Sequence, residues 1–263
     1  MYKINFDQPV HVHFIGIGGI SMSGLAEVLL EENFTVSGSD NKESALTDHL
    51  EKAGAQIFYG QKASNIIDGI DVVVYTAAIH KDNEEYQAAV QKGLPMLTRA
   101  ELLGQLMTNY DIPIAVSGTH GKTTTTSMVS LCFLDALKDP SIQVGADIKQ
   151  LDGNYKVGNS EYFIIEACEY VESFLKFSPK SEIILNIDND HLDYFKNFDN
   201  IKNAFVKYVK LLPKDGLLVV NGDDKNALDL QKYTTAKVLT YGITNKNTDF
   251  FAVNIAFDNN GFP

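Results

Sequence analysis

The sequence predicts an α/β protein with a Rossmann-like N-terminal domain followed by a P-loop-type mononucleotide-binding central domain. Short apolar runs alternate with helically spaced segments along most of the chain, a pattern typical of parallel sheets covered by helices. A glycine-rich loop also joins an apolar run to a helical segment twice, at residues 16–24 and 117–126. We place the domains at residues 1–107 and 108–263 and expect the second to be incomplete at its C-terminus.

The elements of the first domain follow from the spacing of its apolar residues. Apolar runs predict strands at residues 10–15, 34–37, 72–75 and 94–97. Helical spacing predicts helices at residues 21–32, 45–53, 84–92 and 99–107.

The second domain shows the same alternation. Strands are predicted at residues 112–116, 162–165, 183–187 and 217–220, and helices at residues 123–137 and 200–212. In the first of these helices the expected core face consists of apolar residues and one cysteine: Met128, Val129, Leu131, Cys132, Leu134 and Leu137. Residues 250–256 alternate like a strand, and Asn259-Asn-Gly261 resembles a hairpin turn.

Composition limits the classes of partner. The 263 residues are 44% hydrophobic and carry a formal net charge of −12, with 22 basic and 34 acidic residues. Without a basic run, nucleic acid is not an expected partner. Since no apolar run reaches 18 residues, we expect no membrane insertion and a cytoplasmic protein.

The second glycine loop is the strongest motif in the chain. It lies between a predicted strand and helix, which is the context of a phosphate-binding loop. Its backbone N–H groups and the helix dipole suit a polyphosphate, Lys122 would reach the β- and γ-phosphates, and the Thr123 hydroxyl would bind Mg²⁺. One departure is Val116, which stands where the first glycine of the usual motif is expected. The predicted phosphate-binding residues are Gly118, Thr119, His120, Gly121, Lys122, Thr123 and Thr124.

The first glycine loop gives a weaker signal. Gly16 and Gly18 match the dinucleotide-binding pattern, whose third glycine falls on Ser21. Asp40 ends the next predicted strand, where a ribose-binding carboxylate is expected. The loop could instead serve helix–sheet packing alone, and Asp40 could be a helix cap.

Three further residues follow apolar strands in this sequence. Glu166 and His191 could complete a Mg²⁺ site with Thr123, although a paired acid and a turn histidine are the alternatives. His80 ends the segment Thr76-Ala-Ala-Ile-His80 and could contact a substrate.

At these residues the chain resembles the Mur ligase family, and within it the branch that adds L-alanine. Five segments carry the resemblance, over residues 12 to about 225: residues 16–29, 36–40, 98–102, 118–126 and 186–193. The resemblance implies that UDP-N-acetylmuramate binds the first domain and that ATP with Mg²⁺ binds the second. It assigns the metal to Thr123, Glu166 and His191 and catalysis to Lys122, Glu166 and His191. The implied sugar-nucleotide residues are Gly16, Gly18, Gly19, Ser21, Asp40, Thr76, His80 and Arg99.

Two departures from the family pattern limit this interpretation. Phe205 stands where several relatives carry a carbamylated lysine. The family's His-Asn-x-x-Asn motif and its third domain, which binds the incoming amino acid, are not found in these residues. We therefore expect this chain to be part of a longer protein and not to be competent alone.

The resemblance implies amide synthesis driven by ATP, in which UDP-N-acetylmuramate becomes an acyl phosphate and then reacts with L-alanine. Three alternatives stay open: a nucleotide-binding module without turnover, a peptide-recycling ligase of the same family, and a nicotinamide-dependent oxidoreductase. The last gives Lys122 no role.

Overall fold

The computed structural model describes residues 2–76, 78–151 and 153–256, apart from the side chain of Asp147. The strands are β1 His11–Ile15, β2 Thr35–Asp40, β3 Gln56–Tyr59, β4 Val72–Tyr75, β5 Met96–Thr98, β6 Ile112–Ser117, β7 Ser141–Ile148, β8 Gly153–Lys156, β9 Tyr162–Glu166, β10 Ser181–Ile184, β11 Leu217–Asn221, β12 Lys237–Gly242 and β13 Phe250–Phe251. The α-helices are α1 Ile20–Glu31, α2 Ala45–Lys52, α3 Glu84–Gln91, α4 Arg99–Met107, α5 Lys122–Asp135, α6 Leu192–Phe195, α7 Phe198–Val209 and α8 Lys225–Asp229. The predicted α/β class is confirmed.

The first sheet has five strands in the order β3-β2-β1-β4-β5. All of its pairings are parallel. The strand order reverses direction at β1, which pairs with both β2 and β4. In open parallel sheets, ligands bind beyond the carboxyl ends of the strands at such a reversal. The first glycine loop leaves β1 at that point.

A buried polar network lies between β1, β2 and α3. His13 is fully buried, and its ring nitrogens lie 2.8 Å from Ser37 Oγ and 2.7 Å from Glu85 Oε1. The hydroxyl of Ser39 donates to the second oxygen of Glu85. Because each of these buried groups has a polar partner, the network avoids the cost of unpaired buried polar atoms. Ser39 also accepts the N–H groups of Gly16 and Ile17 through its carbonyl, so the network extends to the glycine loop.

The second sheet has eight strands in the order β13-β12-β11-β10-β6-β9-β7-β8. Its recorded pairings are parallel except that of β7 with β8. The strand predicted at residues 250–256 is confined to Phe250–Phe251, and the turn predicted at residues 259–261 lies outside the described residues. Strands β3, β7, β8 and β12 were not predicted from the sequence.

The prediction for α5 was right in position and only partly right in orientation, since Leu134 packs against the buried residues of β7 but other predicted residues face outward. Thr126 and Ser130 are its fully buried side chains, whereas Met128 is 62% exposed, Cys132 is exposed and Leu137, just beyond the helix, is 91% exposed. The helix begins at the phosphate loop, and the geometry of that loop fixes which side of the helix faces inward. Tertiary context therefore overrides the apolar pattern here.

The chain divides into two compact units that are not continuous in sequence. One comprises Met1–Pro113, Ser127–Ile165 and Lys176–Ser178, and the other Ile114–Thr126, Glu166–Leu175 and Pro179–Pro263. The domain boundary expected near residue 108 stays a prediction. Among the described residues, no helix is both long and apolar enough to span a bilayer.

Candidate nucleotide-binding site

The phosphate loop connects the carboxyl end of β6 to the first residue of α5. Gly118 and Gly121 have φ angles of +142° and +82°, which non-glycine residues adopt rarely. A Cβ on Gly118 would also lie 3.0 Å from the Cβ of Leu185. The backbone conformation therefore favours glycine at both positions. The turn leads into the N-terminus of α5, where an anion would be favoured.

Asn186 holds the loop from the side. Its amide nitrogen donates to the carbonyl of His120 at 3.0 Å, and its Oδ1 accepts the His120 N–H at 2.8 Å. The Thr119 N–H donates to the carbonyl of Asn186, and the Asp188 N–H donates to the Thr119 hydroxyl at 2.9 Å. These four hydrogen bonds fix the main chain of the loop before any ligand arrives.

Lys122 lies folded against its own loop. Its ammonium group donates to the carbonyls of Gly118 at 2.7 Å and Thr119 at 3.0 Å, and it pairs with Glu169 Oε2 at 3.0 Å. The Lys122 side chain is 13% exposed and that of Glu169 1%. A cation so placed can be drawn to a phosphate that approaches the helix N-terminus.

The oxygens of Thr123 and Glu166 fit a magnesium ion. Thr123 Oγ1 donates to Glu166 Oε1, and the two atoms lie 3.0 Å apart. Two oxygens bound at right angles to one Mg²⁺, each at about 2.1 Å, are themselves about 3 Å apart. Hydroxyl and carboxylate oxygens are also the donors that this hard cation prefers. Glu166 is the last residue of β9, as the sequence predicted.

The contacts recorded for His191 are with other residues than Thr123 and Glu166. His191 Nε2 lies 3.9 Å from Glu169 Oε1, and Nδ1 lies 3.9 Å from Asp190 Oδ1. Among the described residues, Glu169, Asp190 and His191 form a group whose ligand atoms all lie within 4.8 Å of one another. The structure thus brings Thr123 and Glu166 into contact, and it places His191 beside Glu169, which pairs with Lys122 of the same loop.

A strained turn carries Tyr170 onto the imidazole of His191. The two ring centroids are 4.6 Å apart, and the Tyr170 hydroxyl donates to Asp193, a bond that raises the pKa of Tyr170. The next two residues, Val171 and Glu172, have φ angles of 49° and 55°. A positive φ is a genuine outlier for a β-branched residue, and such strain concentrates at functional sites.

The first glycine loop brings together four of the eight predicted sugar-nucleotide residues as two contacting pairs. The Gly18 N–H donates to Asp40 Oδ2 at 2.9 Å, and the Arg99 guanidinium donates to Ser21 Oγ at 2.7 Å. A Cβ on Gly18 would lie 2.8 Å from Asp40 Oδ2, so a larger residue there would require the Asp40 side chain to move.

The other predicted residues of this loop are less directly connected. Gly16 has a φ of +85° and its N–H donates to Ser39, while Gly19 supplies the carbonyl that begins α1. Thr76 and His80 follow β4, where His80 is exposed, and no contact is recorded between them and the glycine loop.

Three residues of the site were not predicted. Glu169 and Tyr170 lie in the segment that also holds Glu166, and Asn186 begins the segment that ends near His191. Asn186 lies in a segment that carried the resemblance, whereas Glu169 and Tyr170 lie outside those five segments. Only the folded chain shows that Asn186 and Glu169 reach the phosphate loop.

Comparison with known families identifies the chain. A model of the catalytic domain of the Mur ligase family matches residues 11–111, and a model of the Mur ligase middle domain matches residues 116–263. The chain belongs to the Mur ligase family. It is 55% identical over 258 residues to UDP-N-acetylmuramate–L-alanine ligase of Agathobacter rectalis, covering 98% of this chain and 56% of that protein. It thus spans about half the length of the curated relatives that it matches.

Solved structures of Mur ligases have the same fold. UDP-N-acetylmuramate–alanine ligase from Thermotoga maritima is 32% identical with a TM-score of 0.77, over 90% of this chain and 53% of that one. A UDP-N-acetylmuramate:L-alanyl-γ-D-glutamyl-meso-diaminopimelate ligase from Neisseria meningitides is 26% identical with a TM-score of 0.80, over 92% and 83%.

Proposed function

We propose that this chain carries the sugar-nucleotide and MgATP sites of a cytoplasmic ligase that joins L-alanine to UDP-N-acetylmuramate. The observation that carries the proposal is the phosphate loop, in which Lys122 lies at a helix N-terminus and the Thr123 and Glu166 oxygens are 3.0 Å apart. Curated relatives at 51–55% identity bear the name of this ligase, which supports the choice of substrates.

The reaction forms one amide bond and consumes one ATP. A carboxylate oxygen of UDP-N-acetylmuramate attacks the γ-phosphorus of ATP, and ADP leaves with the electron pair of the broken P–O bond. The amine of L-alanine then attacks the acyl carbon, phosphate leaves, and the amine nitrogen loses a proton. The first step needs little covalent chemistry from the protein, so its catalysis is positioning and charge neutralisation.

The residues of the phosphate loop supply those two effects. The N–H groups at the start of α5 would bind phosphate oxygens, and Lys122 would leave its carbonyl partners to neutralise charge on the β- and γ-phosphates. Thr123 and Glu166 would hold Mg²⁺, which when bound offsets phosphate charge. His191, at the edge of the same loop cluster, would orient groups near the metal.

The sugar nucleotide is assigned to the unit that contains the first glycine loop. The loop lies at the strand-order reversal of the first sheet, and Arg99 brings a positive charge to Ser21 at its far side. Together with the helix N-terminus of α1 these groups suit a diphosphate. We therefore propose residues 1–107 as the UDP-N-acetylmuramate-binding domain and residues 108–263 as the ATP-binding domain.

One alternative has support of its own. The Neisseria structure, which is similar to this chain over 83% of its own length, is named for a ligase that acts on a peptide. That structure is 26% identical to this chain, about half the identity of the curated relative named as an L-alanine ligase. We therefore prefer L-alanine as the substrate.

Titration calorimetry tests the proposal. We expect this chain to bind UDP-N-acetylmuramate and MgATP, and to bind UDP-N-acetylglucosamine at least about tenfold more weakly, because that analogue lacks the lactyl carboxylate and leaves its partners unpaired. Equal affinity for the two sugar nucleotides, or no binding of MgATP, would contradict the assignment.

A further inference from the structure

Glu169 is a buried acid that no step of the proposed reaction uses. Its side chain is 1% exposed, and its two oxygens lie 3.3 and 3.0 Å from the ammonium nitrogen of Lys122. A buried carboxylate carries a large desolvation cost unless a cation compensates it. Among the described residues, Lys122 is the cation in contact with it, and the imidazole of His191 is the next basic group at 3.9 Å.

The contact with Glu169 completes the hydrogen bonding of Lys122. An ammonium group has three protons to donate, and here the acceptors are the carbonyls of Gly118 and Thr119 and the Glu169 carboxylate. Lys122 is therefore held back on its own loop. To reach a phosphate it must leave at least one of these partners, and the carboxylate is the strongest of them because its bond is charge-assisted.

Glu169 would also act directly on a bound polyphosphate. A carboxylate next to the loop repels a polyphosphate, and the repulsion is strong because few water molecules screen so buried a group. A nucleotide that carries Mg²⁺ has less net charge and is repelled less. The same residue thus opposes metal-free nucleotide twice, by holding Lys122 and by repulsion.

We propose that Glu169 is a positioning residue that holds Lys122 away from the phosphate site and makes nucleotide binding depend on Mg²⁺. The inference rests on the proposed ATP-binding role of the loop. In this proposal Glu169 favours binding of the metal-bound nucleotide over binding of the metal-free nucleotide.

The test compares ADP binding with and without Mg²⁺ for the natural chain and for Glu169→Gln. The amide keeps the shape and removes the charge, so we expect metal-free ADP to bind about tenfold more tightly, while the affinity for MgADP changes less than about threefold. The matched control is Glu172→Gln, an acid in the same turn that pairs with Lys207 at 2.8 Å. It should leave both affinities unchanged.

Glu169→Asp separates charge from geometry. It keeps the negative charge on a shorter side chain, so metal-free ADP should stay weakly bound. If Glu169→Gln instead weakens MgADP alone, Glu169 serves the metal and the proposal is overturned. Equal losses with and without Mg²⁺ would show a role in folding only and would also overturn it. If the natural chain binds no nucleotide in either condition, the proposed function itself fails.

A second measurement needs no variant. Amine-selective labelling of the ligand-free natural chain, read by peptide mass spectrometry, should modify Lys122 far more slowly than the exposed Lys246, because the ammonium of Lys122 is enclosed by three acceptors. Equal labelling rates would show that Lys122 is not held, and would overturn the proposal.

Discussion

Asn186 is the side chain that fixes the main chain of the phosphate loop. It exchanges two hydrogen bonds with the backbone of His120, at 2.8 and 3.0 Å. Each such bond contributes about 1 kcal/mol, and the loop must keep its shape to present N–H groups to phosphate. We therefore expect Asn186→Ala to weaken MgADP binding about tenfold, measured by calorimetry.

The control for that prediction is Asn189→Ala. Asn189 is exposed and follows in the same segment, and its recorded hydrogen bond is made by its backbone N–H. Its replacement should leave the affinity within about twofold. If both variants bind MgADP as tightly as the natural chain does, the loop does not need the hydrogen bonds of Asn186 to bind nucleotide.

The motif predicted the residues of the phosphate loop but not the side chains that contact it. The spacing of Gly121, Lys122 and Thr123 predicted a phosphate loop, and the structure places Gly121 directly before α5 and the other two in its first turn. The partners of that loop, Asn186 and Glu169, lie 64 and 47 residues from Lys122 along the chain. A motif records local spacing, whereas contacts between distant loops depend on strand order, which the sequence does not state.

Among the strands of the second sheet, β10 carries a buried acid. Glu182 on this strand is fully buried, and neither of its carboxyl oxygens has a hydrogen-bond partner among the described residues. Burial raises the pKa of Glu182 well above its usual range. Tyr208 on α7 is also fully buried, and its pKa is raised by burial and by the charge of Glu182. Burial therefore favours the neutral form of the Glu182 carboxyl up to a higher pH than in the unfolded chain.

The pH dependence of stability follows from that shift. The pKa of Glu182 is higher in the folded than in the unfolded chain. Glu182 therefore does not lower the free energy of unfolding below about pH 4.5, and it lowers it progressively as the pH rises above that value. Glu182→Gln removes this titration. We expect the free energy of unfolding of the variant to exceed that of the natural chain increasingly with pH, by up to about 1.4 kcal/mol per pH unit.

Urea denaturation at several values between pH 5 and 8 measures the difference. Curves that stay parallel over this range would show that Glu182 titrates alike in both states. Glu161→Gln, at an exposed acid just before β9, is the control and should leave the curve unshifted.

Elements differ in how well the sequence predicts them. α4 and β4 have the predicted bounds, since capping residues and a short valine run mark them locally: Thr98 and Glu101 form a capping box at the start of α4. β7 and β12 were missed because polar residues interrupt their apolar runs. The inward face of α5 was only partly predicted because Thr126 and Ser130 face inward on a helix whose start is fixed by the loop.

At the scale of the whole molecule, the net charge of −12 opposes anionic ligands. Two polyanions can then bind only where local donors and cations outweigh the general repulsion. Lys122 supplies such a cation in one compact unit and Arg99 in the other. Each ligand should therefore depend strongly on the cation named for its own unit.

This dependence predicts that two substitutions separate the two ligands. Lys122→Ala removes charge-assisted bonds to phosphate, worth about 1.5–3 kcal/mol, so it should weaken MgATP binding at least about tenfold and leave UDP-N-acetylmuramate within about threefold. Arg99→Ala should do the reverse.

Lys214→Ala, at an exposed lysine, controls for the change in net charge and should alter neither affinity by more than about twofold. Calorimetric titration of each ligand into the three variants measures all six affinities. If either alanine variant weakens both ligands alike, or if Arg99→Ala weakens MgATP alone, the assignment of one ligand to each unit is wrong.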